Sequence, residues 1–481
     1  MRLSNATLAG LPASVRRPGY ARAAVTPGIV HLGVGAFHRA HQAAYVDQCL
    51  AEGEAGWGIV GASLRSADTR DALAPQDGLY TLAVRADDRE ELIVIGSLLG
   101  LLVAPEDPAA LLDVMIDPGV RIVTLTVTEK AYLRTASGDL DADHPDISAD
   151  LASPASPRTA HGFIVEALAR RRAAGTPAFT VLSCDNLPNN GVTTRRVIAQ
   201  FAALRDPDLG RFVAEEVAFP SSMVDRIVPA TTDADRARIS AALGVTDAWP
   251  VLTEPFMQWV VEDRFPAGRP DWERFGVTMV EDVTPYEEMK LRLLNGAHSS
   301  IAYLGQLLGH ETVADAFADP AIRRFVDGLW QDFIVTLPED AGLDTADYIQ
   351  RLASRFANTA LRHRTAQIAN DGSQKLPQRI VAATLDRMDK GLGVDRSAFA
   401  LAAWIAALAG RGTPPAFTDP LDAVLAPLLK AEGDPAVVVE AVFAATGFAA
   451  ASPHRAALVA KTAAALATLR DVGPLRALAL L

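Results

Sequence analysis

Lys290, Asn295 and His298 lie in the segment KLRLLNGAHSSIAYLG and bring together three groups that could move or hold a proton. The segment is expected to be helical, because Leu293, Leu294, Ala297, Ile301 and Leu304 recur at three- and four-residue steps. On that helix Lys290 points into the centre of the apolar stripe, and Asn295 and His298 sit side by side on one flank. A lysine aimed at a core has its charged form penalised by desolvation, which moves its pKa toward values useful for a base. The competing reading is a lysine that snorkels from the helix start to water.

A second signal lies near the N-terminus. The apolar run at 28–34 (GIVHLGV) reaches Gly33-Val34-Gly35, and the following FHRAHQAAYVDQCLAEGE has helical spacing. A strand, a Gly-x-Gly turn and a helix are the context in which a dinucleotide pyrophosphate is held. The first glycine permits the tight turn, and the second lets the backbone approach the phosphates. The third glycine of the full pattern is replaced by His38. His38 and Arg39 either meet a phosphate or cap and solvate the helix start. Past a second strand at 57–64, Asp68 in SLRSADTR is the nearest carboxylate for the adenosine ribose, and Arg65 could accept a 2′-phosphate. NAD is favoured over NADP, which stays open.

These residues need a scaffold. Strand candidates at 57–64, 91–96, 120–127 and 177–184 alternate with helical segments such as PAALLDVMIDPG and AHGFIVEALARRRAA. That alternation predicts a largely parallel, doubly wound sheet. Beyond about residue 285 the sequence turns helical, with Ala/Leu periodicity. The expected architecture is an α/β Rossmann-type N-terminal domain over 1–284, then a mostly α-helical C-terminal domain over 285–481 that carries substrate.

The 481 residues, with 49% hydrophobic and 21% charged content, describe a globular protein large enough for two cores. A net charge of -13 argues against general nucleic-acid or anionic-membrane binding. Neither a bilayer-length apolar run nor a charged-then-apolar leader is seen, and Cys49 and Cys184 cannot build a disulfide framework or a thiolate zinc site. A cytoplasmic monomer or weak oligomer acting on a small molecule, with no bound metal, is expected.

The motifs GVGAFHRAHQAAY, TLTVTEKAY, SCDNLPNNG, MVDRIVPA, EPFMQWVVEDRF and KLRLLNGAHSSIAYLG follow one another along nearly the whole chain. Together they resemble the mannitol dehydrogenase family of metal-independent polyol dehydrogenases and hexuronate reductases. The resemblance implies hydride transfer between NAD(P) and a secondary alcohol carbon. It also implies that Lys290 is the general base and that Asn186 and Asn295 are the amides on the substrate oxygen. His298, Asp225 and Lys375 match substrate contacts, and Glu287 matches a carboxylate on a proton path. Gly33, Gly35, Phe37, His38 and Arg39 fall in the cofactor-binding segment, and Asp68 falls at the NAD-selecting position. The chemistry is self-consistent, since a base must take the hydroxyl proton and two amides can steady the oxyanion.

Each residue also has a structural reading. Asn186 sits among turn formers, Asp225 could pair with Arg226, Glu287 suits a helix N-terminus, and Lys375 could be a loop lysine. The substrate is set by LRHRTAQIANDGSQKLPQR, which has Gln367 where polyol-oxidising members carry arginine and resembles the hexuronate branch. His363 and Arg364 are its candidates for pairing with a carboxylate. EDVTPYEEMK and TDAWPV instead look like mannitol 2-dehydrogenase. The balance leans to D-mannonate/D-fructuronate interconversion, with D-mannitol/D-fructose or D-arabinitol oxidation as alternatives. A nucleotide-sensing protein without catalysis is the rival of another class.

Overall fold

The computed structural model describes residues 1–87, 89–135, 137–429 and 433–481. The chain divides into two compact units, Met1–Thr284 and Pro285–Leu481.

In the first unit the strands, in chain order, are β1 (Pro27–Leu32), β2 (Gly58–Ser63), β3 (Tyr80–Ala86), β4 (Arg89–Ile95), β5 (Leu98–Val103), β6 (Ile122–Leu125), β7 (Thr180–Ser183), β8 (Ser222–Asp225), β9 (Val251–Thr253), β10 (Gln258–Glu262) and β11 (Thr278–Val280). Five form a parallel sheet in the order β5-β2-β1-β6-β7. Val30 pairs with both Val60 and Val123, and Leu32 with Ala62 and Leu125, so β1 is central. Five of its six residues are buried, because helices cover both faces of such a sheet and its strands read as continuous apolar runs.

The crossover helices start where the sequence supplies caps. Asp107 accepts a hydrogen bond from the Ala110 N–H ahead of the helix Pro108–Ile116. Thr159 does the same for Gly162 N–H at the helix Ala160–Ala173. Their apolar faces bury Leu111, Leu112, Met115, Phe163, Ile164 and Leu168 with Phe179. Each such side chain contributes about 1.5–3 kcal/mol relative to exposure. Strand order reverses between β1 and β6, and the crevice beyond the carboxyl ends of those strands is where ligands of such sheets bind.

The apolar run at 91–96, expected in the parallel sheet, forms β4 instead. It pairs antiparallel with β3, in a smaller sheet ordered β4-β3-β9. The parallel sheet takes β5, whose LLGLLV is half-buried as an edge strand. A third sheet, β11-β10-β8, completes the unit.

The second unit is helical. The helices Ala297–Leu308, Pro320–Ile334, Asp395–Gly410 and Arg455–Val472 bury Ile301, Leu304, Phe325, Leu329, Trp330, Leu401 and Trp404. Two short stretches, Lys290–Gly296 and Pro377–Val381, are π-helical. They approach closely at Gly296, where an added Cβ would lie 2.8 Å from the Arg379 carbonyl oxygen and 3.2 Å from Phe333. A glycine is needed there for the two backbones to meet.

Candidate active site

In the first unit the carboxyl end of β1 runs into Gly33, at φ +96°, where a Cβ would lie 2.2 Å from the Thr126 carbonyl oxygen. Gly35 is different. Its φ is -92°, and a Cβ there would meet nothing closer than the Gly33 oxygen at 3.9 Å. The turn is therefore packed against the loop after β6 on one side and open on the other. Phe37, half-buried, stacks on His41 with ring centroids 5.0 Å apart.

His38 and Arg39 do not face the open side. His38 is fully buried and stacked on His31 at 3.4 Å. Burial, reinforced by the nearby His31, Arg39 and His41, holds its pKa well below the usual histidine range. Arg39 is 4% exposed, donates to the Trp249 carbonyl at 2.5 Å and lies over the Tyr80 ring. Both are core residues, which corrects the expectation of phosphate contact. Asp68 is exposed in the first turn of the helix Asp68–Leu73 that follows β2.

Asn186 is exposed just beyond β7. Its loop is held by Asn190, whose amide donates to the carbonyls of Asp185 (3.0 Å) and Ser222 (2.7 Å) and accepts from Ser222 N–H. Asp225 ends β8, buried, opposite Gln258 on β10. The neighbouring Arg226 donates to the backbone carbonyls of Glu254 and Ala40.

In the second unit Lys290, Asn295 and His298 are all buried, at 8%, 9% and 8% exposure. The π-helical start changes their relation. At about 100° per residue an α-helix would set residues five apart about 140° apart. The i→i+5 bonding of a π-segment stacks them, so Lys290 and Asn295 share a face. Glu287 is buried in the preceding helix Thr284–Met289.

His298 lies against His363, ring centroids 5.0 Å apart and edge-on, and against Phe356. His298 Nε2 and His363 Nδ1 are buried with no hydrogen-bond partner. The Arg379 guanidinium donates to Ser299 Oγ at 3.1 Å, next to His298 in the chain. Lys375, one helical turn before Arg379, donates to the Asn370 carbonyl (2.7 Å) and lies 3.4 Å from Asp371. Burial pushes the His298 pKa well below its usual value, and the neighbouring His363, Arg379, Arg355 and Lys375 push it further. Burial, then Arg379, lowers the Lys375 pKa.

Arg364 is not part of this cluster. Its side chain is 65% exposed and pairs at 3.6 Å with Glu311. Arg379 was missed by reasoning from the sequence, although its place four residues after Lys375 was a usable signal. Among the described residues no group of three or more His, Cys, Asp or Glu side chains is placed to hold a metal ion. Among them too, no helix is long and apolar enough to cross a membrane.

Both units of the chain are similar to known proteins. Residues 27–274 match the mannitol dehydrogenase Rossmann domain and residues 282–470 the mannitol dehydrogenase C-terminal domain. Mannitol 2-dehydrogenase of Cereibacter sphaeroides is 46% identical over 382 residues, 79% of this chain and 80% of that protein. D-mannonate oxidoreductase of Escherichia coli (strain K12) is 42% identical over 468 residues, 95% and 96% of the two chains. The structure of Pseudomonas fluorescens mannitol 2-dehydrogenase in complex with NAD and D-mannitol is similar at a TM-score of 0.86 and 41% identity, covering 100% of this chain and 99% of that one. With both domains matched in order, the chain belongs to the mannitol dehydrogenase family of oxidoreductases.

Proposed function

We propose that the protein is an NAD-linked, metal-independent oxidoreductase that interconverts a secondary alcohol and a ketone of a sugar acid, D-mannonate and D-fructuronate being the favoured pair. The Gly33-Val34-Gly35 turn fits a dinucleotide: one glycine is packed where no side chain fits, and the other leaves the backbone open to a pyrophosphate. The exposed carboxylate of Asp68 fits the acceptor that ribose hydroxyls need, which favours NAD over NADP. When bound, the dinucleotide supplies or accepts the hydride.

The remaining work falls to the chain. Lys290 takes the proton from the alcohol oxygen in oxidation and returns it in reduction. Asn295, on the same face of the π-segment, donates its amide to that oxygen, and Asn186 supplies the second donor. Neither amide changes protonation, so the lysine alone carries the proton at the reacting oxygen. Glu287 passes that proton onward, and Asp225, His298 and Lys375 orient the sugar hydroxyls.

The observation that carries the choice of substrate is the cluster around His298. Arg379, with Lys375 a helical turn before it, gives this part of the unit a positive character suited to a carboxylate, beside a His363 ring that burial keeps neutral, its pKa lowered to about 4. D-mannitol/D-fructose is the second reading, favoured by the relatives named mannitol 2-dehydrogenase.

The test is an absorbance panel with NADH and NADPH against fructuronate, tagaturonate and fructose, and with the oxidised dinucleotides against mannonate, mannitol and arabinitol. NADH with fructuronate is expected to give the highest kcat/KM. A higher value for fructose would overturn the substrate assignment, and no turnover with any pair would overturn the enzyme.

A further inference from the structure

At the carboxyl ends of β1, β6 and β7 two polar clusters follow one another along the chain. His31 lies 2.7 Å from Thr124 Oγ1 through Nδ1 and 2.9 Å from Thr126 Oγ1 through Nε2. Thr126 Oγ1 in turn donates to the Gly33 carbonyl at 2.8 Å. Burial lowers the His31 pKa to about 3, so the ring is neutral and the network carries no charge at this end. One residue on, the backbone N–H groups of Val127 and Thr128 both donate to the Asp185 carboxylate, at 3.1 and 2.9 Å. Tyr132 Oη donates to the same carboxylate at 2.8 Å. Three donors thus converge on an acceptor-only group, a match an amide could not make.

The peptide so held is strained. Thr128 has φ +73° and ψ 156°, a region that belongs essentially to glycine. Its side chain is exposed, so no buried packing requires that conformation. Asp150 provides the contrast. It is a fully buried carboxylate where Asp185 is half-buried, and it accepts from Arg158 N–H, Thr159 N–H and Thr159 Oγ1, but it serves the start of the helix Ala160–Ala173. The strain sits instead at the strand-order reversal, two residues along the chain from the Thr126 hydroxyl that grips Gly33.

We propose that Asp185 is a positioning residue: its carboxylate fixes the strained Thr128 peptide beside the Gly33 turn, and so holds the dinucleotide crevice and the adjoining Asn186 in register. The inference rests on the oxidoreductase reading given above. Burial raises the Asp185 pKa, and its three hydrogen bonds offset that cost only in part.

The test compares the wild type with Asp185→Asn, Asp150→Asn and Asp185→Asn/Thr128→Gly, by NADH fluorescence titration, steady-state kinetics and thermal melting. Asp185→Asn turns one acceptor into a donor facing an N–H group. It is expected to raise the Kd for NADH and lower kcat by about tenfold each, with the sugar KM nearly unchanged. Asp150→Asn is expected to lower the Tm and leave Kd and kcat as they are. Adding Thr128→Gly to Asp185→Asn is expected to restore most of the affinity, since glycine holds these dihedrals unaided; this double variant also serves if Asp185→Asn alone does not fold. Wild-type Kd and kcat in Asp185→Asn, the same kinetic loss in Asp150→Asn, or a folded double variant that stays weak would each overturn the positioning role. If the wild type binds neither NADH nor NADPH, the oxidoreductase reading itself fails and this role with it.

Discussion

Placing an alanine at Gly33 and at Gly35 in turn separates the structural work of the glycine turn from its binding work. At Gly33 the new Cβ would start 2.2 Å from the Thr126 carbonyl oxygen, and ordinary contact begins at 3.4 Å, so the backbones must part by about 1.2 Å. The position also has φ +96°, which costs an L-residue roughly 1–2 kcal/mol. The displacement breaks the bonds from Thr126 Oγ1 and His31 Nε2 to the Gly33 carbonyl, worth about 1 kcal/mol each. Gly33→Ala should therefore lose about 3–4 kcal/mol, a large share of the usual 5–15 kcal/mol of a domain, and melt on the order of 10 °C lower. Gly35→Ala meets no atom closer than 3.9 Å at an ordinary φ, so its Tm should stay within about 2 °C of wild type. Its methyl group nevertheless fills the space a pyrophosphate needs, and the Kd for NADH should rise about tenfold or more, roughly 1.4 kcal/mol. Scanning calorimetry and NADH fluorescence titration measure the two quantities separately. If Gly35→Ala binds NADH as tightly as wild type, the turn does not take the pyrophosphate and the cofactor assignment is wrong.

Lys290→Ala is expected to lower kcat by 10²–10⁴ (about the range for loss of a general base) while the NADH Kd stays within twofold; substantial turnover at neutral pH would remove Lys290 from the mechanism. Arg379→Gln should raise the KM for fructuronate by about tenfold or more and leave that for fructose alone, and equal effects on both would refute the carboxylate subsite. Dialysis against a chelator should leave kcat unchanged, whereas loss of activity restored by a divalent ion would contradict the metal-free scheme. Stability should fall in acid. His31, His38 and His161 are fully buried or nearly so, and burial holds their pKa at about 3, well below normal, and at about 4 respectively. Because these folded values lie below the unfolded 6.5, their contribution is complete above about pH 6.5 and is lost as pH falls toward about 4. Each can cost up to about 1.4 kcal/mol per pH unit. The raised carboxyls of Asp47 and Asp185 act in the opposite sense. His161→Phe should flatten the acid slope of the N-terminal unit by about a third, measured by denaturant midpoints from pH 7 to 5, and an unchanged slope would refute the account.

The legible part of the fold was the part buried on both faces. β1, β2, β6 and β7 are short apolar runs ended by turn residues, a pattern that a parallel sheet forces on its inner strands. β5 escaped because an edge strand needs only partial burial, and LLGLLV, with a glycine at its centre, has weak strand character. The stronger run ELIVI reads as the parallel strand in its stead. Its partner β3 lies just upstream, and local antiparallel pairing won over the doubly wound pattern.

The site divides along a similar line, between what a sequence period can carry and what only three-dimensional packing decides. Gly33 and Gly35 were visible because glycine types the backbone directly. His38 and Arg39 were misread because the helix Ala36–Ala40 breaks at His41, with φ -123° and ψ -88°, and both side chains are buried in the core. His363 and Arg364 are neighbours in the sequence, yet only His363 packs on His298 while Arg364 is exposed on Glu311. The apolar spacing after Lys290 was read with a period of 3.6, and that period is blind to a π-segment, which costs one extra residue and leaves the downstream stripe intact. That extra residue is what turns Asn295 onto the face of Lys290. The same insertion in Pro377–Val381 lies where the Arg379 backbone meets Gly296, with the Arg379 side chain on Ser299, so two local departures from helical periodicity organise the polar residues of this unit.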